Sequence, residues 1–222
     1  MYSVHPVNDT SDREARLTLE LLDAIERRSD VSQRHLARQM GVALGLANSY
    51  LKRCAKKGFV KIREAPANRY LYYLTPKGFA EKARLTGQFL STSLTFYRQA
   101  GEACTVIYLQ CVRDEWTRLI LCGVSDLAEI AYMRALESQI DVVGVFDPSG
   151  KRTQFFGKPV WQTWNACGGA DAFVITEMQQ PLKLYNELAD SVDTQRILVP
   201  SVLGIDGLIS GAQQQTTADQ SP

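Results

Sequence analysis

Val31-Ser32-Gln33-Arg34-His35-Leu36-Ala37-Arg38-Gln39-Met40-Gly41, running through Val42 and Ala43 into Leu44-Gly45-Leu46-Ala47-Asn48-Ser49-Tyr50-Leu51-Lys52-Arg53-Cys54-Ala55-Lys56-Lys57-Gly58, decides the fold of the first half of this chain. Ser32 is placed to cap a short helix whose buried side is Leu36, Ala37 and Met40. Gly41 stands where that helix must stop, because glycine enters the left-handed conformation without a steric penalty. The next helix spans residues 43–57. Its spacing turns Leu46, Ala47, Tyr50, Leu51 and Cys54 inward and Gly45, Asn48, Ser49, Lys52, Arg53, Lys56 and Lys57 outward. Helix, glycine turn and a second helix with a polar, basic outer side form a helix-turn-helix pattern.

The pattern extends in both directions. Upstream, residues 12–28 carry Leu17, Leu19, Leu21, Leu22 and Ile25 at amphipathic helical spacing. Downstream, residues 59–63 alternate in polarity as a strand does. Residues 64–68 hold Pro66 and Asn68 and read as a turn, and Arg69-Tyr70-Leu71-Tyr72-Tyr73-Leu74 reads as a second strand. Thr75 then caps a helix that has Pro76 at its first position. A hairpin after the second helix of the motif makes a winged helix.

Charge divides the chain along the same line. Residues 1–100 hold 17 Lys and Arg against 9 Asp and Glu, whereas residues 101–222 hold 8 against 15. Between residues 31 and 84 only Glu64 and Glu81 oppose 12 basic side chains. A basic lobe is attracted to a polyanion by phosphate neutralisation and counterion release, so the expected partner is double-stranded DNA. Asn48 and Ser49, early on the exposed side of the second motif helix, are the candidates for base edges, since an Asn amide can pair bidentately with adenine. Lys52 follows them, with Gly45 on the same side. Arg34, Arg38, Arg53, Lys56 and Lys57 are candidates for phosphates, and Arg63 and Arg69 flank the wing, within reach of a minor groove.

Gly41 to Lys52, Lys57-Gly58-Phe59-Val60-Lys61 and Tyr73-Leu74-Thr75-Pro76-Lys77-Gly78 with Glu81-Lys82-Ala83-Arg84-Leu85-Thr86 resemble the MarR-type winged-helix regulators associated with exopolysaccharide gene clusters. The resemblance covers roughly residues 15–100. It implies a DNA-binding transcription regulator, with polysaccharide synthesis as the regulated process.

Residues 76–115 read as connector helices. Phe79, Ala83, Leu90, Leu94 and Tyr97 line one, with Phe89 and Phe96 beside them, and residues 104–112 suggest another. A lone winged helix offers little surface to cover so broad an apolar side. Homodimerisation through this region is therefore expected.

From residue 116 the pattern alternates. Apolar runs at residues 118–123, 140–146, 171–176 and 195–200 read as strands, and residues 127–138, 161–167 and 181–191 as helices, the first of these capped by Asp126. Alternation implies a parallel sheet with helices on its faces. Gly123-Val124-Ser125-Asp126-Leu127-Ala128 stands where a dinucleotide fingerprint would stand. Gly123 and Ala128 supply two of its small positions, and Ser125 replaces the glycine that lets a phosphate approach, though its hydroxyl can donate to one. Asp147 lies where an acid could hold ribose hydroxyls. This half resembles the Rossmann-like domains of CoA-binding proteins and Rex repressors, and the nucleotide-sugar-binding part of bacterial sugar acyltransferases. The resemblance implies NAD(H), CoA or a nucleotide sugar as candidate ligands at Gly123, Ser125, Asp126, Leu127, Ala128 and Asp147. A ligand-free domain serving only oligomerisation is the alternative.

The fold expected is thus α/β: residues 1–12 disordered, a winged helix-turn-helix at 13–75, connector and dimerisation helices at 76–115, a Rossmann-like domain at 116–210 and a disordered tail at 211–222. An enzyme is not expected: the second half has no His, no Tyr-x-x-x-Lys pair and no Gly-x-Ser-x-Gly turn. The five cysteines never form Cys-x-x-Cys and read as reduced, buried thiols rather than zinc ligands. With no apolar leader or span, a cytoplasmic protein away from membranes is expected.

Overall fold

The computed structural model describes residues 10–66, 69–164, 167 and 169–209. The disorder expected of residues 1–9 and 211–222 lies outside them. Residues 10–12, expected to be disordered too, instead begin the first helix. The chain divides into two compact units, residues 3–94 and 95–222, and the division falls inside one long helix.

In the first unit, α1 (Thr10–Arg27), α2 (Gln33–Gln39) and α3 (Leu44–Lys56) precede the antiparallel pair β1 (Val60–Ala65) and β2 (Arg69–Leu74). The Ser32 hydroxyl accepts from the His35 N–H at 3.2 Å and so caps α2. Gly41 closes the turn at φ +62°, a value that a β-carbon disfavours. Leu17, Leu21, Leu22 and Ile25 of α1 meet Leu36, Ala37 and Met40 around α2, Ala47, Leu51 and Cys54 of α3, and Phe59, Val60 and Tyr72 from the hairpin. This is one continuous apolar core. Leu46, expected inside, stands 40% exposed. The inward stripe of α3 is centred on Ala47, Leu51 and Cys54, and one residue away from Ala47 is already about 100° around the helix.

α4 (Pro76–Arg113) is a single helix of 38 residues, not a pair of connectors. Thr75 caps it as expected, its hydroxyl accepting from the Gly78 N–H at 3.0 Å. Gly101 lies in the helix interior, and no proline follows it before the helix ends. Glycine costs a helix interior only about 1 kcal/mol, and the neighbouring Ala100, Ala103 and Cys104 are buried. Lys82 reaches Asp23 at 2.8 Å and also pairs with Glu26, pinning the start of α4 to α1.

The second unit holds β3 (Arg118–Cys122), α5 (Asp126–Leu136), β4 (Asp141–Phe146), β5 (Gln154–Phe155), β6 (Lys158–Trp161), β7 (Ala172–Ile175), α6 (Pro181–Ala189) and β8 (Ile197–Leu198). Its sheet runs β5-β6-β4-β3-β7-β8. The pairs from β6 to β8 are parallel, but β5–β6 is an antiparallel edge hairpin, so the sheet is mixed rather than purely parallel. A two-residue turn at Phe156 and Gly157, both at positive φ, joins that hairpin, where the sequence reading had no strand. The helix expected at residues 161–167 is replaced at its start by the end of β6, and residues 165 and 166 lie outside those described. One face of the sheet is covered by α5 and by Ala100, Cys104, Ile107, Tyr108 and Cys111 of α4. The other is covered by Leu184, Tyr185 and Leu188 of α6. The Tyr108 hydroxyl donates to the Ala131 carbonyl at 2.7 Å, tying α4 to α5.

All five cysteines are free, and four are buried. Burial raises the thiols of Cys54, Cys104, Cys111 and Cys167 to about 11, which keeps them protonated and unreactive near neutrality. Among the described residues no group of three or more His, Cys, Asp or Glu could hold a metal ion, and no helix is long and apolar enough to cross a membrane.

Candidate nucleic-acid interface

The outer side of α3 begins at Gly45 and continues through Asn48, Ser49, Lys52 and Lys56, residues three and four apart and hence neighbours on one helical side. Gly45, Ser49, Lys52 and Lys56 are exposed, and Asn48 is half-buried. The Ser49 hydroxyl donates to the Gly45 carbonyl at 3.0 Å, which leaves its lone pairs free to accept. Arg34 and Arg38 extend exposed from α2. Arg63 stands exposed on β1, its guanidinium 5.9 Å from the Tyr73 ring centroid. Arg69 begins β2, and its side chain lies outside the described residues.

Two candidates differ from expectation. Arg53 forms an ion pair with Glu14 of α1 and lies 5.0 Å from the Tyr50 ring centroid. The carboxylate raises the guanidinium pKa and competes with any phosphate for it. Asn48 has its Oδ1 shut away from solvent without a hydrogen-bond partner. Bidentate pairing with adenine therefore needs the amide to swing outward. Replacing Asn48 with Ala is expected to weaken specific binding about tenfold or more while leaving non-specific binding nearly intact. Titrations of a selected and a scrambled duplex check this, and equal losses on both would deny Asn48 a reading role.

Asn48 opens into a cleft of about 360 Å³ between α3 and the hairpin, lined also by Gln33, Leu51, Lys52, Ile62, Tyr70 and Tyr72. Gln33 donates to the Tyr72 hydroxyl at 3.3 Å. The pattern of the sequence did not place Gln33, Ile62 and Tyr70 beside Asn48 and Lys52 in this cleft. Exposed Ile62 and Tyr70 face outward from strands that looked like ordinary core-and-surface alternation.

The second candidate set gathers at the carboxyl ends of β3, β4 and β7. Gly123 takes φ +103°, and its N–H donates to the Phe146 carbonyl at 2.8 Å. A β-carbon on Gly123 would lie 2.6 Å from the backbone N and Cα of Glu177. The chain that Gly123 admits at close range is thus its own. Ser125, rather than Asp126, caps α5: its hydroxyl accepts from the Ala128 N–H at 3.2 Å and donates to the Thr176 carbonyl at 2.5 Å. Thr176 in turn donates to the Gly123 carbonyl at 2.6 Å. The N–H groups of Thr176 and Glu177 both donate to the Cys122 carbonyl. The loops after β3 and β7 are therefore sewn together. Leu127 and Ala128 are fully buried, and Asp126 is exposed. Asp147 is buried, with its Oδ1 accepting from the Ser149 N–H at 3.2 Å and hydroxyl at 3.0 Å.

A family model of winged helix-turn-helix DNA-binding domains matches residues 15–61. No curated protein matches the chain. Among solved structures the chain is similar to a mutant of S. aureus MepR bound to an oligodeoxyribonucleotide, with 18% identity over 37% of this chain and 60% of that one and a TM-score of 0.32. It is similar also to Streptococcus pneumoniae FabT in complex with DNA, with 21% identity over 52% and 65% and a TM-score of 0.30. A third likeness is to human N-acetylserotonin methyltransferase in complex with SAM, with 12% identity over 85% and 74% and a TM-score of 0.34. The chain spans less than two thirds of the first two proteins. Overlaps this loose assign no function to it. The first unit carries a winged helix-turn-helix DNA-binding module.

Proposed function

We propose that this chain is a transcription regulator whose first unit binds operator DNA as a homodimer. The observation that carries the reading is the exposed polar and basic side of α3, borne on a complete winged-helix core. Lys52 and Lys56 supply charge for phosphates, Asn48 and Ser49 supply polar groups for base edges, and Arg63 projects from the hairpin beside them. The second unit carries a net negative charge and is not drawn to the duplex. Selection of genomic fragments by the full chain, followed by footprinting, tests the proposal. Protection of a two-fold repeated site supports it. Recovery of fragments no different from a bead control would refute it.

Two readings of the second unit differ in what the sheet does. The bonded loops at Gly123 and Thr176, and the absence of a free hydroxyl on Ser125, favour a scaffold for oligomerisation. The parallel strands taken in sheet order are the third, second, first, fourth and fifth in the chain, the Rossmann-type order whose reversal point is where nucleotides bind. That order and the buried Asp147 favour a sensor of a nucleotide-type metabolite, with NAD(H), CoA and nucleotide sugars as candidates. A ligand of this kind would regulate only by as much as its affinity differs between two states of the dimer. A thermal-shift screen of those compounds separates the two, since saturating ligand raises the melting temperature. The link to polysaccharide synthesis is supported by the resemblance of residues 15–100 alone, and the genes beside the selected fragments test it.

A further inference from the structure

The second half of α4 is apolar on two sides. Ala100, Cys104, Ile107, Tyr108 and Cys111 enter the core against the sheet, yet Val106, Leu109 and Val112 are 67%, 62% and 44% exposed on other sides. A helix packed on one face ordinarily shows charged and polar residues on the opposite one. Glu102, Val106, Leu109 and Arg113 are spaced by four, three and four residues, so they form one stripe along the helix. All four are exposed. Among the described residues neither Glu102 nor Arg113 takes part in an ion pair within the chain.

Read in order, the stripe is acid, apolar, apolar, base. Both the charged pair and the apolar pair straddle the same midpoint, between Ile107 and Tyr108. A two-fold axis through that midpoint turns the stripe onto itself. It sets Val106 against Leu109 of a second copy and Glu102 against its Arg113, twice over by symmetry. We infer that two copies of this chain associate through antiparallel crossing of their α4 helices at residues 102–113. The inference rests on the proposed homodimer and fixes its surface and register. The buried apolar pairs supply the attraction, and the two outer ion pairs fix the register: a parallel crossing would set like charges together, and a shifted antiparallel one would leave Glu102 and Arg113 unpaired.

Charge exchange tests this with the full chain. Glu102→Arg and Arg113→Glu each replace two attractive contacts by two repulsive ones. Each variant alone is expected to dimerise about tenfold or more weakly in sedimentation velocity at low ionic strength. An equimolar mixture restores opposite charges at both ends and is expected to recover the dimer as a heterodimer. Both positions are exposed, and circular dichroism confirms that each variant is folded. A dimer indifferent to both variants overturns the inference, as does a dimer broken instead by Leu90→Glu with Leu94→Glu; either result leaves the homodimer itself standing. A wild-type chain that stays monomeric overturns both together.

Discussion

Replacing Arg38, Lys52 and Lys56 together with Glu is expected to lower DNA affinity about a thousandfold, at roughly tenfold per reversed charge. The three side chains are exposed and form no salt bridge among the described residues, so their reversal spares the core. Arg53 is left out deliberately. A glutamate there would stand beside Glu14, which now pairs with Arg53, and the variant would confuse unfolding with lost contacts. Lys151→Glu provides the control. Lys151 is exposed in the second unit and is no part of the proposed phosphate-contacting set, so its reversal is expected to change affinity by about twofold at most. Fluorescence anisotropy with a labelled duplex measures both variants. A triple variant that binds as the wild type does would remove α2 and α3 from the interface.

Gly123→Ala is expected to destabilise the second unit by about 3 kcal/mol or more. Two costs add. The added carbon would lie 2.6 Å from the backbone of Glu177, and the residue would have to hold φ +103°, where a β-carbon is strained. The neighbouring backbone cannot retreat cheaply, since Thr176 and Glu177 are both hydrogen-bonded to Cys122. Trp116, Trp161 and Trp164 all lie in this unit, so tryptophan fluorescence during thermal or urea unfolding reports on it directly. The result also bears on the meaning of Gly123. If the glycine exists to admit a pyrophosphate, alanine costs ligand binding with little loss of stability. If it exists to let two loops cross, stability falls without any ligand present.

Local signals were legible where a few neighbouring residues set the outcome. The Ser32 cap, the Gly41 turn, the inward stripe of α3 apart from Leu46, and the Thr75-Pro76 start of α4 were each readable from residues within one or two turns. Asn48 was readable as a polar residue early on the outer side of α3. The inward aim of its carbonyl was not, because that depends on packing beside Ile62 and Tyr70, which arrive from a hairpin formed later in the chain. Arg53 looked free for the same reason, since Glu14 is 39 residues away. Glycine was the ambiguous letter. At Gly123 it read as the first small position of a nucleotide fingerprint, and the group that comes close there in the structure is the Glu177 backbone. The alternation of strands and helices after residue 116 implied a sheet. The strand order follows from long-range pairing that no local pattern encodes, and the antiparallel edge at Phe155 is a local hairpin whose two-residue strand is too short to show an alternation.

The most direct test of the central claim, that the basic first unit grips duplex DNA, is a salt titration of the full chain on selected genomic fragments. The account predicts a complex whose log affinity falls linearly with log salt, by about 0.9 for each phosphate neutralised, and more shallowly once Lys52 or Lys56 is replaced by Ala. No complex at low salt, or one whose affinity ignores salt, would contradict it.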